Sequence, residues 1–335
     1  MSKRKLGRTG LLVNAIGFGG IPIQRINQES ADAIVSEAVN RGVNFFDSAR
    51  GYTNSEELMG NALAPYRDEV IIATKSMVRD AAAMEADLAL SLKHFHTDCI
   101  DLYQFHFVNS MEQVNLILGE NGAYRALMEA KEAGRVRHIG ITSHSADLLE
   151  QVIPLGVFDT IQFPYNLIER QGEKAFKMAL EADVGVIAMK PMAGGALEQG
   201  ELSLRFILQN PAVSVAIAGM QSMDEVLRNT AVVTEPPLNE VELAEVERLR
   251  TTLGTDFCRR CGYCMPCPQG INIPSVFLFE GYLTRYDLAA WAQERYNLMT
   301  KFASDCVSCG VCEPRCPYGL KIPEKMKKAA VLFGK

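Results

Sequence analysis

The chain has 335 residues, 48% of them hydrophobic and 22% charged, with 34 Lys and Arg against 40 Asp and Glu and a net charge of −6. That length suits one large domain with a small companion and gives ample material for a buried core. Nucleic-acid binding has no sequence support beyond the basic KIPEKMKKAA near the end. No stretch approaches the roughly 18–20 apolar residues of a membrane span, and MSKRKLGRTG runs into a polar turn rather than a signal peptide, so a cytoplasmic protein is expected.

In chain order, KRKLGRTGLLVN reads as a hairpin that caps the lower end of the large domain. Eight short apolar runs come next: NAIGFGG, VNFFDSA, VIIATKS, CIDLYQFH, VRHIGITS, TIQFPY, VGVIAMKP and VSVAIAGM. Amphipathic stretches separate them. Between the first two, Ala31, Ile34, Val35, Ala38 and Val39 fall at i, i+3, i+4, i+7 and i+8, one apolar helical face. Eight strands alternating with helices predict an α/β fold, a closed (β/α)8 TIM barrel, over residues 1–255, with VELAEVERLR as an extra helix before the C-terminal part.

Such barrels do their chemistry at the C-terminal ends of the strands. There the sequence places Asp47, Tyr52 in the following loop, Lys75 and His106. Taken singly, each has an ordinary alternative: a helix cap, a buried ion pair, a core histidine. Together they form a proton-transfer set. A phenol is a poor acid at neutral pH, but an adjacent ammonium stabilises its phenolate, so Lys75, held by Asp47, would make Tyr52 a general acid, and His106 would orient the carbonyl oxygen. FFDSARGYTNSEELMG, ATKS and DLYQFH together resemble the aldo-keto reductases over about residues 3–255.

That resemblance implies a nicotinamide nucleotide, NADH or NADPH, and a small carbonyl or alcohol substrate. It places Gln162, Thr142 and Ser143 at the carboxamide and Asn229 at the adenine. Ser222 and Glu225 are spaced as a capping box opening a helix whose N–H groups suit a phosphate. Met189 stands where many relatives stack a tyrosine, and Gly219 and Met220 replace a Lys-Ser pair able to hold a 2′-phosphate, so NADPH preference has no support. Substrate specificity is expected from loops such as FVNSMEQVNLILGENG.

Eight of nine cysteines come after residue 257: Cys258, Cys261, Cys264 and Cys267 before Pro268, then Cys306, Cys309, Cys312 and Cys316 before Pro317. Disulfides are disfavoured in a reducing cytosol, and zinc sites pair two CxxC knuckles. The second run has the bacterial ferredoxin spacing, in which the fourth cysteine crosses to the other cluster. Residues 256–335 are therefore expected to be a mostly helical ferredoxin-like domain holding two 4Fe-4S clusters, one on Cys258, Cys261, Cys264 and Cys316, the other on Cys306, Cys309, Cys312 and Cys267. The first run is one residue short of the usual pattern before Cys267, which leaves the crossover open. GYLTRYDLAAWAQERYNLMT reads as helix between the runs, KIPEKMKKAA as the solvated face of a terminal helix, and Cys99 as a small buried hydrophobe. The whole chain resembles the iron–sulfur branch of the aldo-keto reductases.

The expected protein is an oxidoreductase interconverting a carbonyl and an alcohol, with clusters that exchange electrons with a redox protein partner. Clusters pass single electrons and nicotinamides pass hydride, so a flavin would be needed to join them, and no flavin motif is visible. The alternative is an electron-transfer subunit whose barrel binds a nucleotide or partner with little reductase activity; a third reading makes the clusters structural.

Overall fold

The computed structural model describes residues 3–335 except 194–196, 198, 254–256, 259–261, 263, 286–287 and 317–318. Eight parallel strands close into a barrel: β1 (Ile16–Gly19), β2 (Phe45–Asp47), β3 (Ile71–Ser76), β4 (Ile100–Phe105), β5 (Val136–Thr142), β6 (Thr160–Pro164), β7 (Gly185–Met189) and β8 (Val213–Gly219). β8 pairs with both β7 and β1, which seals the ring. All eight lie inside the apolar runs of the sequence. The helical layer packs on the outer face through a single apolar core that includes Ala31, Ile34, Val35 and Ala38 of the first helix, Gln28–Asn40.

Strand periodicity decides what points into the barrel. Side chains alternate, so Phe45 and Asp47 share one face, as do Ile71, Ala73 and Lys75, and Leu102 and Gln104. Phe45, Ile71, Ala73, Leu102, Ile187, Met189, Val215 and Ile217 form the apolar interior, which puts Asp47, Lys75 and Gln104 on top of it at the C-terminal rim. The opposite face carries Phe46, Ile72, Tyr103 and Phe105 into the layer under the helices. At the other end, the hairpin pairs Arg4 with Val13 and Lys5 with Leu12. Its Leu6 side chain joins the interior core and lies so close to Gly185 that a Cβ there would meet it at 2.7 Å. The hairpin plugs the barrel's N-terminal end.

The chain divides into two compact units, the second beginning at Glu240. Its helices are Glu240–Leu253, Ile273–Arg285, Ala289–Asn297 and Ile322–Phe333. Residues 281–300 are thus shared between two helices rather than forming one. The core of this unit is small: Ile271, Val276, Phe277, Ala292, Tyr296, Ile322, Met326, Ala329 and Phe333, with Tyr296 stacked on Phe333 at 3.9 Å. Cysteines pack against that core rather than beside it, as expected where bound groups supply part of the folding energy. Cys99, read from sequence as buried, is only half-buried, one residue before β4 begins. The segment after His106 is less a loop than expected: Met111–Leu118 is helical, capped by Ser110. Among the described residues no helix is long and apolar enough to cross a membrane.

Candidate active site and cysteine cavity

At the rim, Lys75 Nζ donates to Asp47 Oδ1 at 2.5 Å and to the Ser48 carbonyl at 2.7 Å. Both partners are buried, Lys75 completely. Asp47 Oδ2 accepts from Gln104 Nε2 at 3.1 Å. Burial pushes the Asp47 carboxyl above its ordinary value against the pull of Lys75, Gln104 and Gln162. Burial likewise pushes Lys75 down, opposed by Asp47 and the more distant Glu56. The ammonium lies 4.9 Å from the centroid of the Tyr52 ring. The Tyr52 loop is pinned to β3 through Arg50 N–H on the Lys75 carbonyl, and Arg50 pairs with the buried Glu56 at 2.5 Å.

His106 meets Tyr52 edge-on, ring centroids 5.7 Å apart and planes at 88°. Its pKa is held well below the ordinary histidine value, first by burial and then by the fields of Lys75, Lys190 and Arg79. The imidazole is therefore neutral at pH 7, able to donate from one nitrogen and accept at the other. The four strand-end residues chosen from sequence stand together, each reached through the backbone or side chain of another.

The nucleotide candidates divide. Gln162 is buried beneath the rim, its Nε2 3.7 Å from Met189 Sδ, and its Oε1 has no partner. A buried acceptor without a donor is costly, and an amide N–H from a ligand would satisfy it. Thr142 Oγ1 already accepts from Phe107 N–H at 2.9 Å, and Ser143 Oγ accepts from Ser145 N–H at 3.0 Å, so both brace the loops they sit on. Ser222 and Glu225 form the expected capping box of helix Met223–Ala231. Glu225 Oε2 occupies the Gln221 and Ser222 N–H groups, and Asn229 is buried further along that helix.

In the second unit, Cys267, Cys306, Cys309 and Cys312 line one partly open cavity. The walls are Ile271, Ile273, Ile322 and Met326. Burial raises the Cys312 thiol, and the neighbouring Cys306, Cys309 and Cys267 raise it further. Among the described residues no group of three or more His, Cys, Asp or Glu converges as a single metal ion requires. Cys264 is buried in the small core, with Cys258 and Cys316 packed against it. Cys261 lies outside the described residues.

Two residues at the rim were not singled out from sequence. Gln104 fixes the second oxygen of Asp47, and Lys190, immediately after β7, bonds His144 at 2.9 Å. The available signal was position: both stand within one residue of a strand end.

A family model for "Aldo/keto reductase family" matches residues 15–203, and one for "4Fe-4S dicluster domain" matches residues 257–321. Among curated proteins, L-galactose dehydrogenase of Arabidopsis thaliana is 29% identical over 302 residues, covering 73% of this chain and 93% of its own length. Among solved structures, the holo form of aldo-keto reductase AKR11C1 from Bacillus halodurans is 26% identical with a TM-score of 0.67, over 74% of this chain and 96% of its own. An aldo/keto reductase from Klebsiella pneumoniae, in complex with NADP and acetate, shares the fold at 21% identity and a TM-score of 0.64, over 75% of this chain and 96% of its own. The barrel and the cysteine-rich unit thus have counterparts in known proteins: the chain belongs to the aldo/keto reductase family, NAD(P)-dependent oxidoreductases, and carries a C-terminal 4Fe-4S dicluster domain.

Proposed function

We propose that the protein interconverts a small carbonyl compound and its alcohol, with Tyr52 as the proton donor. One observation carries the reading: a fully buried ammonium, tied to a carboxylate at 2.5 Å, stands 4.9 Å from the centroid of a phenol ring at the mouth of the barrel. When bound, a nicotinamide nucleotide would supply hydride for the carbonyl carbon. Tyr52 Oη gives its proton to the carbonyl oxygen, Lys75 stabilises the phenolate left behind, and the phenol is restored by a proton from water. Asp47 keeps Lys75 charged and in place. Neutral His106 donates a hydrogen bond to the same oxygen, which fixes its position and takes up part of its developing charge. Gln162 Oε1 is suited to receive the carboxamide amide, with Thr142 and Ser143 beside it. Ser222 and Glu225 cap the helix whose first turn is offered to the nucleotide's phosphate, and Asn229, further along the same helix, is offered to the adenine.

The cavity among Cys267, Cys306, Cys309 and Cys312 supports one 4Fe-4S cluster on those four ligands, with Cys258, Cys261, Cys264 and Cys316 holding the second. When bound, such clusters exchange single electrons. Exposure of Cys309 favours exchange with a separate redox protein and keeps the electron-transfer reading in view. The two are separated by nicotinamide oxidation with a panel of aldehydes under anaerobic conditions, with and without a viologen. Aldehyde-dependent oxidation supports the reductase; oxidation that needs the viologen supports the electron-transfer subunit.

A further inference from the structure

An acidic network that the proton-transfer set does not use lies on the outer face of β3. Strand alternation sends Lys75 into the barrel and its neighbours Thr74 and Ser76 the other way, beneath the helices. Each neighbour meets a carboxylate there. Thr74 Oγ1 donates to Glu56 Oε1 at 2.6 Å, and Ser76 Oγ donates to Asp87 Oδ2. Glu56 is buried and belongs to helix Ser55–Leu63, just after Tyr52, and Asp87 belongs to helix Ala81–His94. Arg50 joins the two. Its Nη1 donates to Glu56 Oε2 at 2.5 Å and its Nε lies 3.6 Å from Asp87 Oδ1, while its backbone N–H donates to the Lys75 carbonyl at 2.9 Å. The remaining neighbours are Ser91, whose Oγ donates to Glu56 Oε1 at 2.8 Å, His94, whose Nδ1 lies 3.4 Å from Glu56 and 3.3 Å from the guanidinium, and the Tyr103 hydroxyl of β4, 3.4 Å from Ser91 Oγ.

This network holds the two groups between which the proton chemistry runs. Thr74 and Ser76 flank Lys75 on its strand, and Arg50 and Glu56 flank Tyr52 on its loop. The far side of that loop is fixed as well, because Ser55 Oγ lies 2.8 Å from both the Gly20 carbonyl and Ser48 Oγ. Between these anchors Thr53 has φ of +36°, a conformation that persists only where the surroundings impose it. The charge of Glu56 also reaches Lys75, where it favours the ammonium. An ammonium stabilises a phenolate by an amount that falls with their separation, so whatever fixes the separation fixes the acidity of the phenol. We propose that Arg50 and Glu56, with Asp87, are positioning residues that hold Lys75 and the Tyr52 loop at a set distance and thereby set the pH at which Tyr52 releases its proton. This rests on the reading of Tyr52 as the proton donor.

The test uses the full-length protein labelled with 3-fluorotyrosine, the Tyr52 fluorine resonance being assigned by its loss in Tyr52→Phe. Its titration midpoint is compared in the parent, in Arg50→Met and in Arg50→Met/Glu56→Gln. The double variant removes the carboxylate that the single one leaves buried without its guanidinium, which keeps the test open where the single variant fails to fold. With the loop released from β3, the midpoint should rise by about one pH unit or more in both variants, a roughly tenfold weaker ionisation, while nucleotide affinity measured by fluorescence is unchanged. The alkaline limb of kcat/KM for aldehyde reduction should move up with it, since reduction needs the protonated phenol. A midpoint within about 0.3 pH unit of the parent in the folded variants would overturn the proposal and leave the network a purely structural role. A midpoint that rises while the alkaline limb stays in place would uphold the positioning role and remove Tyr52 as the proton donor.

Discussion

Asp47→Asn keeps the shape of the side chain and removes its charge. The Lys75 ammonium, with no exposed surface, is left with the Ser48 carbonyl at 2.7 Å and an amide where a carboxylate stood. Keeping the proton leaves an uncompensated buried charge, at a cost of about 3–5 kcal/mol. Releasing it costs about 4.6 kcal/mol at pH 7, from an unfolded lysine pKa near 10.4 at about 1.36 kcal/mol per pH unit. The routes agree, so the loss is about 3–5 kcal/mol at pH 7. The folded pKa of Lys75 is already depressed in the parent, and further depression makes the unfolded chain bind more protons, so stability of the variant rises with pH; the release route costs only about 2 kcal/mol at pH 9. Hydrogen exchange of peptides covering Phe45–Asp47 and Ile71–Ser76 reads this directly. Opening should become roughly a hundred- to several-thousand-fold more frequent at pH 7, with a clearly smaller deficit at pH 9 after correction for intrinsic rates. A change under about 1 kcal/mol, or one independent of pH, would refute the argument that Asp47 is what keeps Lys75 buried and charged.

Tyr52→Phe should retain nucleotide affinity and lose carbonyl reduction by about 100-fold or more, measured as kcat/KM. His106, depressed by burial and by Lys75, Lys190 and Arg79, should remain neutral down to the acid limit of folding, so its imidazole resonance should not titrate near pH 6.5 and kcat/KM should show no inflection there that His106→Gln removes. Anaerobically prepared protein should contain about eight iron and eight acid-labile sulfide, and Cys309→Ala should abolish the spectrum of one cluster and spare the other. Ser222→Ala should cost about 0.5–2 kcal/mol of stability through loss of the helix cap.

The barrel was legible because each strand is a short apolar run and each strand end carries its chemistry within a residue or two. Asp47, Lys75 and His106 needed no long-range information: parity along the strand sends Asp47 and Lys75 inward, and the barrel rule sends all three to the rim. The ferredoxin spacing of Cys306, Cys309 and Cys312 was equally local. What spacing left open was the fourth ligand, since 38 residues separate Cys267 from Cys306 and only folding brings it to their cavity. Gln104 was missed because an uncharged residue in an apolar strand has no signal of its own until Asp47 is seen opposite. Lys190 was obscured by Met189 beside it, the position that the family pattern marks, and its link to His144, 46 residues away, exists only in three dimensions. The helix Met111–Leu118 was hidden by its shortness and by the Gly-rich sequence after it.

The central claim is that hydride and proton meet at a carbonyl bound beside Tyr52. Nicotinamide nucleotide deuterated at the transferable C4 position, incubated anaerobically with an accepted aldehyde, tests it most directly when the alcohol is analysed by mass spectrometry. The account predicts one deuterium on the carbinol carbon with the parent protein and about 100-fold slower labelling with Tyr52→Phe; alcohol formed without that deuterium, or at the same rate in both proteins, would contradict it.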